Sequence, residues 1–312
     1  AKVASHPSLD RAAEGGGRLI DTADVYPLGG NHATAGRTEE IIGRWLKGKR
    51  ESFIVATKAY NKMGPAAWDR GSSRKHLLSA IDASLKRLQT DYVDLYQLHR
   101  DDPNTPLDET LAALDTIVQS GRARYVGVSN FLAWRLAKAV GLAQWRQWAP
   151  LVSVQPRYSL LFREIERELL PLAAEEGLGV IPYNPLAGGL LTGKHDPAAG
   201  PQAGTRFAYG ALSRERYWNE RCFETVTLLK QVVAEAGLPM TTTAVAWVLA
   251  NPAVTSAIVG ASRPEQLDDT LQAADLALDP AFKARLDEIS AEHRQGDAGT
   301  GRTRASEGRA RL

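Results

Sequence analysis

Seven short runs of apolar, largely β-branched residues recur along the chain. They are RLIDTA (18–23), FIVATKA (53–59), VDLYQLH (93–99), ARYVGVSN (123–130), VSVQPRY (152–158), GVIPYNP (179–185) and TSAIVGA (255–261). None alternates strictly between polar and apolar, so each reads as a strand covered on both faces. Helical periodicity fills the gaps between them. In SSRKHLLSAIDASLKRLQ, Leu77, Ile81, Leu85 and Leu88 make one apolar stripe, with Ser72 or Ser73 as the cap. In TEEIIGRWL, Thr38 is the expected cap, and Glu39 and Glu40 lie in the first turn, where the helix dipole favours carboxylates. LDETLAALDTIVQSG ends on Gly121, a usual helix stop, and similar patterns cover 131–141, 161–176, 223–237 and 263–275.

Strands alternating with helices imply parallel strands joined by crossover helices. Seven of them predict an α/β fold, a (β/α)8 TIM barrel lacking one strand. The absent strand would precede a first helix at about 7–15, where only AKVASH is available, too short for a strand and its loop. Either the natural chain begins further upstream or the barrel is imperfect at this seam. The structural alternative is an open doubly wound sheet. It is weakened because no G-x-G-x-x-G follows any of the runs.

At 312 residues the chain suits one barrel domain, over 1–290. With 44% hydrophobic and 24% charged residues it can bury a large core. Its net charge of +2 is unevenly spread: residues 294–312 hold five arginines against Asp297 and Glu307, a net +3, which leaves the body near −1. A body of that charge has no general attraction for polyanions, so neither nucleic acid nor membrane is an expected partner. Residues 291–312 are read as a basic, disordered tail. The single cysteine, Cys222, excludes an intrachain disulfide, and no apolar run approaches the length of a membrane span. A cytoplasmic location is the expectation.

One stretch, NPLAGGLLTGKH (184–195), comes close to a phosphate-cradling P-loop from Gly188 onwards. A P-loop needs Gly-Lys-Ser/Thr opening a helix. Here Lys194 is followed by His195, and Pro197, Gly200, Pro201 and Gly204 forbid that helix. A nucleotide hydrolase is therefore excluded. The glycines still allow backbone to approach a pyrophosphate, and Lys194 can meet a phosphate as a point charge.

In a barrel, reactive residues gather where strands end. The strand ends supply Asp21 with nearby Tyr26, then Lys58, then His99. A tyrosine is a poor acid at neutral pH unless an ammonium stabilises its phenolate. A carboxylate can hold that ammonium, and a histidine can orient a substrate oxygen. Such a set would protonate an alkoxide as a carbonyl is reduced. No side chain delivers hydride, so a nicotinamide cofactor would have to.

The motifs LIDTADVYPLG, ATK (56–58), SLKRLQTDYVDLYQLH (84–99), GVSNF (127–131), VQPRYSLL (154–161), YNPLAGGLLTGK (183–194) and IVGASRPEQL (258–267) resemble the aldo-keto reductase family in order and spacing, over about residues 7–285. The flavour is that of its bacterial aldehyde- or sugar-reducing branches. The resemblance implies an eight-stranded barrel and NADPH-dependent reduction of an aldehyde or ketone to an alcohol. It identifies Asp21, Tyr26, Lys58 and His99 with the catalytic tetrad, Tyr26 being the general acid. Ser129, Asn130 and Gln155 match the residues that bond the nicotinamide carboxamide, and Tyr183 the aromatic that stacks on the ring. Asn184, Leu186, Gly188 and Lys194 lie on the loop that crosses the pyrophosphate. Gly260, Ser262, Arg263 and Gln266 match the pocket for the adenosine 2′-phosphate, with Asp269 near the adenosine. Arg263 suits a dianionic phosphate, favouring NADPH/NADP+ over the NAD forms. No metal is implied.

The chain departs from the family's pattern in two places. The first strand, with its glycine-rich end, is not found, and Thr270 stands where many members carry asparagine. A small carbonyl compound is the expected partner, selected by loops 60–73, with Tyr60 and Trp68, and 193–222, with Phe207, Tyr209 and Trp218. The same family resemblance leaves a second function open, a regulatory subunit that binds NADPH with little turnover.

Overall fold

A computed structural model describes residues 2–27 and 33–300. Chain contacts divide it into two compact units. One comprises Ala1–Gln155, Glu175–Gly179 and Ser262–Pro264; the other Pro156–Ala174, Val180–Ala261 and Glu265–Leu312.

The first unit alternates helix and strand: α1 (Lys2–Glu14), β1 (Leu19–Asp21), α2 (Arg37–Leu46), β2 (Ile54–Ala59), α3 (Arg74–Leu88), β3 (Val93–Leu98), α4 (Leu107–Gln119), β4 (Ala123–Ser129), α5 (Ala133–Arg146) and β5 (Leu151–Gln155). After α6 (Leu169–Glu175) comes β6 (Gly179–Val180), and the six strands form one sheet in chain order. The ladders from β1 to β5 are all parallel, with Asp21 opposite Ala56, Lys58 opposite Gln97, and Ser129 opposite Gln155. The core is what double-faced burial demands: Val55, Ala56, Val93, Val128 and Val154 are all sealed from solvent.

In α3, Leu77, Ile81 and Leu88 are fully buried and Leu85 half-buried. Each fully buried side chain contributes about 1.5–3 kcal/mol. Ser73, rather than Ser72, is the cap, its hydroxyl accepting the His76 backbone N–H at 3.3 Å. The expected cap at Thr38 is corrected. Gly36 turns in the left-handed region (φ 82°) and α2 begins at Arg37, so Thr38 lies inside the helix. Glu39 does lie in the first turn, and it is buried there, accepting from Thr57 Oγ1 at 2.5 Å and Arg87 Nε at 2.6 Å. Gly43 lets α2 lie against the end of α3, since a Cβ there would meet the Arg87 carbonyl oxygen at 2.6 Å.

Three further sequence expectations change. The first helix starts at Lys2, not about residue 7, and no strand precedes it among the described residues. GVIPYNP yields only two strand residues, because Pro182 and Pro185 cannot donate to a ladder. TSAIVGA forms no strand. Facing a partner cut short by proline, it makes isolated contacts, with Thr255 N donating to Val180 O and Ile258 N to Pro182 O, both at 2.8 Å. Among the described residues the sheet thus has six strands instead of seven.

The second unit continues with α7 (Arg206–Tyr209), α8 (Ala211–Tyr217), α9 (Glu220–Glu235), α10 (Met240–Leu249), α11 (Asp268–Leu271) and α12 (Pro280–Ile289). Arg163 organises its interior. This nearly sealed guanidinium bonds Glu166, Asp287 O and Ser290 Oγ, while the Arg163 backbone N–H donates to His293 O at 2.9 Å. Residues Ala291–Thr300 form a run of 3-10 turns, in which His293 is buried; 301–312 of the expected tail lie outside the described residues. Among the described residues no single helix is long and apolar enough to cross a membrane.

Candidate active site

Parallel register puts the C-terminal ends of β1 to β5 along one edge of the sheet; Asp21, Lys58, Ser129 and Gln155 stand on it, and His99 and Asn130 follow one residue beyond it. Lys58, the penultimate residue of β2, is completely buried. A sealed ammonium is strongly unfavourable without partners. Lys58 Nζ has two, Asp21 Oδ2 at 2.5 Å and the Thr22 carbonyl oxygen at 2.8 Å. Asp21 is itself held by two further donors on its other oxygen: Gln155 Nε2 at 2.9 Å and Gln97 Nε2 at 3.3 Å.

Tyr26, on the loop after β1, lies over this pair, with Lys58 Nζ 5.5 Å from its ring centroid. His99, just past β3, meets the same ring edge-on, centroids 5.7 Å apart. Burial, then the Lys58 and Arg100 charges, depress the His99 imidazole to about 3, so the ring is neutral at working pH. Its Nδ1 lies 3.0 Å from Asn61 Nδ2.

The residues matched to the carboxamide lie on the same edge and are bonded into the set. Ser129 Oγ donates to the Gln155 backbone oxygen at 2.7 Å. Asn130 adopts a left-handed turn (φ 58°), which its short polar side chain tolerates. Its Nδ2 donates to His99 O at 3.0 Å and to Ser129 Oγ at 2.9 Å. These donors and acceptors, beside a tyrosine over a buried ammonium, suit the amide of a nicotinamide ring. Asp24 is another matter: it is fully buried, and neither carboxylate oxygen has a hydrogen-bond partner. Burial first, then the Glu39 charge, push it up to about 8, against the opposing pull of Arg87.

In the second unit, Tyr183 is half-buried and held by its backbone, its N–H donating to Pro156 O at 2.9 Å. Asn184, also left-handed (φ 66°), accepts from Gly188 N and from Arg206 Nη1, each at 3.3 Å. Gly188 and Gly189 turn at φ 71° and 107°, bending backbone as only glycine does easily. Leu186 packs against the buried cluster of Val245, Ala246 and Ala273, while Lys194 is exposed. Gly260, Gln266 and Asp269 are exposed in this unit; Ser262 and Arg263, also exposed, belong to the first. Thr270 is buried and spends its hydroxyl on Leu267 O at 2.9 Å. Of the aromatic candidates for substrate selection, Phe207 is sealed among His195 and Trp218, whereas Tyr209 and Trp68 are largely exposed.

Sequence reasoning missed Gln97 and Asn61. Gln97 carried a signal, being an uncharged polar residue inside an apolar run and two places before His99. Asn61 carried none, because loop geometry alone brings it to the imidazole.

A sequence model described as the Aldo/keto reductase family matches residues 2–291. The chain is 41% identical over 291 residues to "Uncharacterized oxidoreductase YrpG" of Bacillus subtilis, covering 90% of this chain and 85% of the relative. It is 40% identical over 247 residues to "L-glyceraldehyde 3-phosphate reductase" of Escherichia coli K12, covering 76% and 70%. It is also 35% identical over 283 residues to "Probable voltage-gated potassium channel subunit beta" of Arabidopsis thaliana, covering 88% and 83%.

Proposed function

Because the chain belongs to the aldo/keto reductase family, we propose that it reduces an aldehyde or ketone to an alcohol with NADPH, in the cytoplasm. The family's eight-stranded barrel is the complete architecture we propose with it. One observation carries the reading: a buried Lys58–Asp21 pair beneath the Tyr26 ring, with neutral His99 at that ring's edge.

A bound nicotinamide would supply the hydride, held by Ser129, Asn130 and Gln155 through its carboxamide. The chain's own groups do the rest. His99, being neutral, donates a hydrogen bond to the substrate oxygen without surrendering its proton. Tyr26 gives its hydroxyl proton to that oxygen as negative charge develops there. The Lys58 ammonium stabilises the charge left on the phenol oxygen. Asp21, Gln97 and Gln155 keep the ammonium from moving. Arg263 and Ser262 favour a 2′-phosphate, and thus NADPH over NADH.

The relative named as a channel subunit supports a second reading, a regulatory protein that binds NADPH and turns over little. Turnover across a panel of aldehydes, measured beside NADPH binding, separates the two. Oxidation of NADPH by any of them supports the reductase; tight binding with no oxidation supports the regulatory protein.

A further inference from the structure

We infer that Asn61 is a positioning residue for His99: its amide N–H, donated to Nδ1, keeps the imidazole proton on Nε2 as the donor to substrate. The inference rests on the reductase reading and deepens it.

A neutral imidazole carries one proton and two possible sites for it, and which nitrogen bears it is set by what the other one bonds. Here Asn61 Nδ2 lies 3.0 Å from His99 Nδ1. An amide nitrogen only donates, so Nδ1 accepts and the ring proton is left on Nε2. The surroundings exclude the doubly protonated form that would make the choice irrelevant. The charged groups acting on His99 are Lys58 from β2 and Arg100 from the loop after β3, both cationic, and both add to the effect of burial. The titratable group at its edge is Tyr26. Without a set tautomer, a neutral His99 could equally present a lone pair to the carbonyl oxygen and repel it. Asn61 is well placed for this work: it follows β2 by two residues, so the strand that carries Lys58 also fixes the amide.

The test reads the tautomer directly, in the resting full-length protein. Long-range proton–nitrogen NMR of 15N-labelled histidines distinguishes protonated from bare ring nitrogens, with His99→Gln assigning the signals. The expected result is Nε2 protonated and Nδ1 bare between about pH 6 and 9. A protonated Nδ1 overturns the inference. In Asn61→Asp the new carboxylate accepts from Nδ1–H and raises the His99 pKa. We expect kcat/KM at alkaline pH to fall by about 10²-fold, the usual effect of losing one preorganised donor. Activity then recovers as pH falls through the raised pKa and imidazolium restores the Nε2 proton. A variant with native circular dichroism, an unshifted pH profile and unchanged His99 nitrogens also overturns the inference. If Asn61→Asp does not fold, the wild-type spectrum still decides. Because that spectrum is taken without turnover, it supports or overturns the role of Asn61 whether or not the wild type reduces any aldehyde.

Discussion

Replacing Asp24 with asparagine tests a carboxyl whose burial costs the first unit stability. The carboxyl is sealed from solvent with neither oxygen bonded, and its pKa is raised from 3.8 to about 8. In the unfolded chain it ionises near 3.8; in the folded protein it stays protonated until about pH 8. Between those values the native state holds one proton more than the unfolded state. Stability is therefore full below about pH 4 and declines as pH rises to about 8, by ~1.4 kcal/mol per pH unit. At pH 7 the accumulated loss from this one residue is about 4 kcal/mol. An asparagine side chain has nearly the same shape and never ionises, so Asp24→Asn is expected to remove that slope. Urea unfolding of both proteins at several pH values from about 5 to 8 measures it. The variant's advantage must widen steadily with pH, by ~1.4 kcal/mol per unit. Parallel stability curves would refute the reasoning, whichever protein is the more stable.

Tyr26→Phe is expected to lower kcat for carbonyl reduction by roughly 10²–10⁴-fold, the loss typical of a general acid, while NADPH affinity in a fluorescence titration barely changes; near-normal turnover would remove Tyr26 from that role. Arg263→Ala is expected to weaken NADPH binding far more than NADH binding, and equal effects on the two cofactors would place Arg263 outside the phosphate pocket. Lys58→Met leaves Asp21 buried beside two glutamines with no cation, at a cost of about 3–5 kcal/mol in urea unfolding near neutral pH. A variant as stable as wild type would mean that the buried pair contributes nothing net.

Strands β1 to β5 were legible because apolar runs buried on both faces look like little else, and each agrees with the structure to within three residues at either end. So was α3, whose stripe and serine cap carry independent signals. Legibility fails where one residue changes the backbone. Gly36, not Thr38, caps α2, since a left-handed glycine turns the chain two residues earlier. Pro182 and Pro185 cut β6 to two residues, and the run at 255–261 then has no ladder to join. Asp21, Lys58 and His99 could be named from sequence because strand ends can be counted, and Ser129 and Gln155 because their motifs resemble the family's. The bonds among them could not. Gln97 and Gln155 both gripping Asp21, and Asn61 reaching His99, depend on register and loop path. The bare burial of Asp24 was equally hidden, because a short carboxylate just past a strand reads as a turn cap, a role the fold does not use.

The Arg163 network changes where the folded body can be said to stop. Composition drew that line at residue 290, yet the main-chain oxygen that receives the Arg163 N–H belongs to His293, whose ring also reaches Thr225 on α9 at 2.9 Å. The few residues past α12 therefore act as a plug: shaving the chain at 290 would strip an acceptor from a sealed arginine and open α9 to water.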